Sequence, residues 1–160
     1  ARCRRAEGLA LVPGNLAVDA VGRDNIVKVP AARLRELVYS TWGDRSLDHL
    51  LPFAALRVFD LNLPIDTPGY TSAAMTALLS RLTCLETLEI RDVRFLGDLA
   101  FLRACPRVTR LRLISYGGPM RAADIAHVQS LVLARHMVLH DLFRGDALAA
   151  ARAALPHAHF

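Results

Sequence analysis

The sequence lacks long apolar runs and paired cysteines. Its apolar stretches are interrupted by Arg, Asp or Pro within about ten positions, short of the ~18 to 20 residues that a membrane-spanning helix needs. The three cysteines, Cys3, Cys84 and Cys105, include no CxxC pair, which argues against a disulfide framework and a zinc knuckle and favours a reducing compartment. We therefore expect no membrane insertion and no structural metal.

Motifs for nucleotide binding and catalysis are also missing. The chain contains no GxxxxGK[ST] or GxGxxG phosphate loop and no GxSxG nucleophile elbow. His136 and His140 have a spacing that would place two imidazoles on one face of a helix, but no HExxH glutamate accompanies them, so we interpret them as surface or packing residues. We expect no cofactor, no metal and no enzymatic activity.

Lysine is nearly absent, since Lys28 is the only one, and arginine carries almost all of the positive charge behind a formal net charge of +5. Arginine binds phosphate and carboxylate through a planar fork, so nucleic-acid binding is an alternative, although a modest excess spread along a chain is typical of solvated surface. The opening ARCRRAEG is Arg-rich, as the remains of an organellar targeting segment would be. We expect an intracellular protein, mitochondrial or otherwise cytosolic.

A repeated pattern organises the chain of 160 residues, a length typical of one domain, of which 53% are hydrophobic. Five segments carry aliphatic residues at positions one, four and six of a short run. They are LRELVY from Leu34, LRVFDL from Leu56, LETLEI from Leu85, VTRLRL from Val108 and VQSLVL from Val128. The differences between these numbers are 22, 29, 23 and 20 residues, which favours a repeat architecture over a general α/β layer fold.

Each run predicts a strand, because positions four and six point into a core while positions three, five and seven point out of a sheet. The stretches between runs carry helix start signals. Thr71 or Ser72 begins the clearest helix, with Met75, Leu78, Leu79 and Leu82 on one face. Ser46, Asp98 and Asp124 begin shorter segments, and ALAAARAAL after Gly145 and Asp146 predicts a helix that ends before Pro156.

The runs LETLEI and VTRLRL, the latter preceded by FLRACPR, resemble those of leucine-rich-repeat proteins over roughly residues 34 to 133. The resemblance implies an α/β solenoid with a curved parallel sheet on its concave side and short helices on its convex side. Residues 1–160 would form one domain, with a cap or degenerate repeat in 1–33, about five repeats in 34–135, and a capping helix and tail in 136–160. Position nine, usually Asn or Cys in such repeats, is Trp42, Pro64, Val93, Tyr116 and His136, so we expect irregular turns without an Asn ladder.

The outward positions of the predicted strands form three columns. Position three holds Glu36, Val58, Thr87, Arg110 and Ser130; position five holds Val38, Asp60, Glu89, Arg112 and Val132; position seven holds Ser40, Asn62, Arg91, Ile114 and Ala134. Charge concentrates in the middle, so Asp60, Glu89, Arg91, Arg110 and Arg112 form the candidate partner-binding patch. The alternative is internal pairing of Glu89 with Arg112 and of Asp60 with Arg91. Catalysis by Asp60 and Glu89 as an acid and base pair is rejected, because nearby arginines would keep both ionised.

These features predict a non-catalytic protein-interaction or scaffolding module, an accessory subunit of a larger assembly. The alternatives are an RNA-associated subunit of a ribonucleoprotein and a substrate-recognition adaptor. Clustering of Arg91, Arg103, Arg107, Arg110 and Arg112 into one unpaired basic surface would favour RNA.

Overall fold

The strands form one parallel sheet in chain order. The computed structural model describes residues 15–18, 30–40, 46–63, 70–116 and 120–160. The seven strands within these ranges are β1 (Asn15–Val18), β2 (Glu36–Ser40), β3 (Val58–Asn62), β4 (Thr87–Arg91), β5 (Arg110–Ile114), β6 (His136–His140) and β7 (Ala158–His159), each pairing in parallel with the next. The expected α/β fold with a parallel sheet is confirmed.

Helical segments connect the strands. In the described ranges the α-helices are α1 (Ser72–Leu79), α2 (Ile125–Gln129) and α3 (Gly145–Ala154), and the 3-10 segments are Ala31–Arg33, Asp48–Leu50, Val93–Leu96, Ala100–Ala104 and Ala122–Asp124. α1 packs against Ala100–Ala104, which packs against α2, and α2 packs against α3. None of the helices in these ranges has the length and apolar content needed to cross a membrane.

The core lies between the sheet and this helical layer. Burial alternates along β2, β3 and β4, with positions four and six inside, because successive side chains of a strand point to opposite faces. Leu37, Phe59, Leu88 and Leu111 at position four are all buried. The inward apolar residues of neighbouring strands therefore form a continuous column.

The predicted helix after β3 is confirmed as α1. The hydroxyl of Thr71 accepts a hydrogen bond from the backbone N–H of Ala74 at 3.1 Å, so Thr71 is its N-cap. The predicted apolar face is buried, and consists of Met75, Leu78, Leu79 and Leu82. The remaining start signals also precede helical segments: Ser46 accepts from the N–H of Asp48, Asp98 accepts from the N–H of Ala100, and Asp124 precedes α2. The expected helix after Gly145 is α3.

A tight turn leads into each strand from β3 to β7. Before β3 to β6 the N–H of the position-one residue donates to the carbonyl three residues earlier, at 3.0 to 3.2 Å, and at β7 the first strand residue, Ala158, makes the same bond at 3.0 Å. These turns, hereafter the entry turns, are Phe53–Leu56, Leu82–Leu85, Cys105–Val108, Leu131–Ala134 and Leu155–Ala158. Each entry turn begins with a buried residue and exposes its second residue.

The fifth predicted strand, VQSLVL from Val128, is wrong. Val128 lies in α2, and residues 131–134 form an entry turn that leads to β6 at His136–His140. The outward residues next to Arg110, Arg112 and Ile114 are therefore His136, Val138 and His140 rather than Ser130, Val132 and Ala134. The segment 136–160, assigned to a capping helix and tail, begins with a strand, and His136 does not occupy position nine.

A three-residue step explains the error. Buried residues recur three apart from the helical segment through the entry turn to the strand, as in Leu79, Leu82, Leu85 and Leu88. Position one can therefore be confused with a residue one or two steps earlier. In the fifth repeat position one is Ala134, while Val128, Leu131 and Leu133 supply aliphatic residues at the expected spacing six residues upstream. The aliphatic pattern alone selected the wrong register.

The cap or degenerate repeat expected in 1–33 contains a strand, since β1 pairs with β2 from Asn15 opposite Glu36 to Val18 opposite Tyr39. Residues 1–14 and 19–29 lie outside the described ranges, as do the position-nine residues Trp42 and Pro64.

Candidate binding face

The strand register places the predicted patch residues side by side. Asp60 lies opposite Glu89, and Glu89 lies opposite Arg112, so position five of three neighbouring strands forms one row. Arg91 belongs to the position-seven row next to Asn62 and Ile114. Because adjacent strands are about 4.8 Å apart, side chains in and between these rows can reach one another.

Four of the five patch residues form one ionic network. Arg91 donates from Nη2 to Oδ2 of Asp60 and from Nε to Oε1 of Glu89, both at 2.9 Å. The Nη1 of Arg112 lies 3.3 Å from Oε1 of Glu89. The pairs Asp60 with Arg91 and Glu89 with Arg112, which the sequence left as an alternative to partner binding, are thus present, and Arg91 joins them into a chain.

The two kinds of charge in this network differ in exposure. The side chains of Asp60 and Glu89 are 16% and 19% exposed, whereas the side chains of Arg91 and Arg112 are 39% and 52% exposed. The acids therefore form the floor of the network and the guanidinium groups its outer layer. A partner approaching this face meets arginine first.

The pKa of Arg91 reflects this position. Partial burial by itself would lower the pKa of its guanidinium, but the hydrogen bond to Glu89 and the negative charges of Asp60 and Glu89 raise the pKa above its ordinary value. Arg91 is a permanent cation that holds two carboxylates in place.

Arg110 is the patch residue outside this network. It is exposed at the start of β5, and the described part of the chain forms no salt bridge with it. Its neighbour on β6 is His136, which is also exposed. The sequence pattern placed Arg110 at position three of the fourth run and His136 at position nine of the fifth. The observed register of β6 places them on neighbouring strands, opposite each other.

β6 supplies the outward residues that the sequence missed. His136 and His140 lie two pleats apart on one strand rather than on a helix, with Val138 between them. Nε2 of His140 lies 3.3 Å from Oδ2 of Asp141, and both side chains are more than half exposed. Across the described ranges no group of three His, Cys, Asp or Glu side chains has an arrangement that could hold a metal ion.

Comparison with known proteins identifies no family for the chain. No family model matches the chain, and no curated protein is significantly similar to it.

Three cavities in the described ranges lie among helical segments and entry turns, away from the outward sheet face. Their volumes are about 220, 260 and 370 Å³, and none is lined by a residue of the predicted patch. Among the described residues, the outward face presents an ionic network, Arg110 without a salt bridge, and two histidines. Such a surface can bind a macromolecule by complementary charge and shape.

Proposed function

We propose that the chain is a leucine-rich-repeat solenoid that serves as a protein-interaction module, an accessory subunit of a larger assembly. Position-one residues Leu34, Leu56, Leu85, Val108 and Ala134 are 22, 29, 23 and 26 residues apart, by difference of their numbers, within the range typical of such repeats. The chain-order parallel sheet supports the same architecture, in which the outward sheet face is the concave binding surface.

The observation that carries the proposal is the ionic network on the outward face. Arg91 and Arg112 are anchored to Asp60 and Glu89 yet stay substantially exposed. A side chain that is already held in place loses less conformational entropy when a partner binds. The network therefore presents arginine donors in a fixed arrangement, as a recognition surface requires.

The charge balance of this face favours a protein partner over RNA. Glu36, Asp60 and Glu89 offset Arg91, Arg110 and Arg112 among the outward strand residues. Because these charges balance, the face gives a polyanion no net electrostatic attraction, whereas a protein surface can present charges of both signs. Arg103 and Arg107 lie outside the outward strand positions, so the five arginines that would have favoured RNA do not form one surface.

Site-specific cross-linking tests the proposal. A photo-reactive amino acid replaces exposed His136 on β6, and, as the matched control, exposed Ala126 on α2. Proteins captured from the native source are identified by mass spectrometry. We expect a defined protein cross-linked from position 136 and not from position 126, with the adduct lost in the Arg110→Glu/Arg112→Glu double variant.

Two outcomes would contradict this proposal. Equal capture from both positions means that the outward face is not a specific surface. A cross-linked product whose added mass is removed by ribonuclease favours the RNA-associated subunit instead. The identity of the captured protein also distinguishes a mitochondrial assembly from a substrate-recognition adaptor.

A further inference from the structure

Exposed arginines concentrate where the strands begin, beside the entry turns. Besides Arg110 of the predicted patch, those immediately before a strand, within an entry turn, or at or just after the end of a helical segment that leads into an entry turn are Arg35, Arg57, Arg81, Arg103, Arg107 and Arg135. Among the described residues, Glu36 and Glu86 are the acids in the same row of strand starts, and Arg57 pairs with Glu86 at 3.5 Å. In the described ranges Arg81, Arg103, Arg107 and Arg135 have no ion-pair partner.

The opposite edge, where the strands end, has the reverse composition. Its acids are Asp92, Asp98, Asp124, Asp141 and Asp146, and its arginines are Arg94, Arg121 and Arg144. Among the described residues, arginine therefore exceeds acid at the edge where the strands begin, and aspartate exceeds arginine at the edge where they end. Because the arginines lie close to the carboxyl ends of helical segments, part of this segregation stabilises the helix dipoles.

A cavity of about 370 Å³ lies within the basic edge, between the second and third entry turns. Hereafter it is the entry groove, and its walls include Leu82, Leu85, Ala104, Cys105, Pro106 and Arg107. Ser80 and Thr83 also line it, and Arg81 and Arg103 are exposed chain neighbours of lining residues. The groove therefore has mainly apolar walls, with Arg107 in its lining and two further arginines next to it in the chain. The volume falls at the low end of the roughly 300 to 1,000 Å³ typical of ligand pockets.

Cys105 belongs to the apolar wall and not to a reactive centre. It is buried and its thiol donates to the carbonyl of Leu102 at 3.2 Å. Burial raises the pKa of this thiol to about 12, so it stays protonated at neutral pH. Cys84, on the neighbouring entry turn, is exposed and lies in the chain between the lining residues Thr83 and Leu85.

Exposed apolar side chains extend the same edge. Val132 is 82% exposed and Leu133 51% exposed, and both lie on the fourth entry turn, next in order after the turn that contains Arg107. Valine and leucine at such exposure leave apolar area in contact with water, which a partner surface would remove. The basic edge thus combines free cations, a groove and uncovered aliphatic side chains.

We infer that this edge is a second docking surface, which binds an acidic polypeptide segment carrying an aliphatic anchor. The acidic side chains pair with Arg81, Arg103 and Arg107, and the aliphatic side chain enters the entry groove between them. Charge complementarity selects an anion, and the apolar wall selects a segment that also contains an apolar residue. This surface is separate from the outward sheet face and goes beyond the function proposed above.

A polypeptide accounts for the edge better than RNA or a membrane. Single-stranded RNA is held by aromatic stacking as well as phosphate contacts, and the residues that line the groove include no aromatic side chain. An anionic membrane would contact protruding apolar residues and would leave a recessed groove unfilled. A concave, mainly apolar site beside exposed arginines can bind an apolar side chain carried by an acidic polypeptide.

The test uses Cys84 as a reporter in the full chain. Cys3 is replaced by Ser so that an environment-sensitive dye labels exposed Cys84, while Cys105 remains protected by burial and its raised pKa. The probe is a short synthetic peptide of Asp and Glu with one central Leu, titrated against the labelled protein. We expect saturable binding that weakens as salt is added, because exposed charges are screened.

Paired variants identify the contacts. Arg103→Gln/Arg107→Gln should weaken peptide binding about tenfold, and Leu→Ala in the peptide by a similar factor. The matched control, Arg121→Gln/Arg144→Gln on the opposite edge, removes the same charge and should change affinity less than about twofold. Circular dichroism melts establish that both protein variants are folded.

Several results would overturn the inference. An equal loss in the control variant means that net charge alone attracts the peptide. Undiminished binding of the Ala peptide shows that no aliphatic side chain enters the groove. Binding of the Leu peptide that does not saturate shows that there is no defined site. Binding of single-stranded RNA or of phosphatidylserine vesicles at least as tightly as the peptide, with the same loss in Arg103→Gln/Arg107→Gln, would assign the edge to those ligands.

Discussion

The carboxylate of Asp124 accepts a hydrogen bond at 3.0 Å from the backbone N–H of Leu99, a residue of the preceding repeat. Its other oxygen accepts at 3.0 Å from the N–H of Arg121. Asp124 is buried and precedes α2, but its side chain does not cap that helix. The residue expected to begin a helix therefore joins the helical connections of two successive repeats, the one after β4 and the one after β5.

This dual role makes Asp124 a stability determinant. Asp124→Ala should lower the free energy of unfolding by about 2 to 3 kcal/mol, because two backbone donors lose a charged acceptor inside the protein. Asp146→Ala, at an exposed position in the first turn of α3, removes the same charge and should cost less than about 1 kcal/mol. Urea denaturation measures both, and equal losses would show that Asp124 contributes only charge.

The register of the fifth repeat can be tested with two leucines. Leu131 is 3% exposed and begins an entry turn, whereas Leu133 is 51% exposed. Leu131→Ala should destabilise the protein by about 2 to 4 kcal/mol and Leu133→Ala by less than about 0.5 kcal/mol. The register inferred from the aliphatic pattern put both side chains in the core. Comparable losses for the two variants in a urea titration would restore that register.

Two of the three ion pairs in the outward network, Glu89 with Arg112 and Asp60 with Arg91, should differ in strength. In double-mutant cycles to Ala, we expect Glu89 and Arg112 to couple by roughly 0.2 to 1 kcal/mol, since Arg112 is half exposed and its 3.3 Å contact is longer. Asp60 and Arg91 should couple by about 1 kcal/mol or more, because the contact is 2.9 Å and the Asp60 side chain is mostly buried. Chemical denaturation of the six variants and the wild type yields both values. Stronger coupling for the Glu89 pair would contradict this ranking.

Asp98 should contribute stability that depends on pH. Hydrogen bonds from the side chain of Ser72 and the backbone N–H of Ala100 hold the pKa of Asp98 below its ordinary value of 3.8. A carboxyl with a lower pKa in the folded state stabilises the protein above its unfolded pKa, and that contribution is lost as pH falls through the folded pKa. The difference in unfolding free energy between wild type and Asp98→Asn should therefore be largest near neutral pH and shrink below pH 3.8.

Ser72→Ala is the companion variant for Asp98. Removing the first of the two donors should raise the pKa of Asp98 toward its ordinary value, which NMR titration of the carboxyl carbon measures directly. A difference between wild type and Asp98→Asn that stays constant with pH, or an unchanged pKa in Ser72→Ala, would disprove this account.

Local patterning was sufficient for much of the fold. Four of the five predicted runs, from Leu34, Leu56, Leu85 and Val108, contain a strand that begins two residues after position one, because a large aliphatic residue at position one is followed by inward residues at positions four and six. Thr71 capped the expected helix because its hydroxyl reaches a backbone donor only three residues away. In both cases the interacting groups lie within a few residues of one another.

The candidate site was predictable in composition but not in arrangement. The columns of positions three, five and seven brought together Asp60, Glu89 and Arg112, because the strand register was correct from β3 to β5. They failed at β6, where Ala134 is too small to mark position one, and so His136 and His140 were assigned to the wrong element. The branching of Arg91 to two acids was also unforeseen, since either acid alone would satisfy the pattern.

The sequence by itself determined the period of the repeat, the α/β order of its elements and the outward charge on β3 to β5, since all of these follow from the alternation of apolar and polar side chains along short segments. Only the tertiary structure decided the register of β6, the inter-repeat role of Asp124 and the segregation of arginines to the edge with the entry turns. The physical reason is that these features depend on which groups from different repeats come within hydrogen-bonding or packing distance. That distance is set by the stacking of the strands and of the helical segments that connect them, and not by any local pattern.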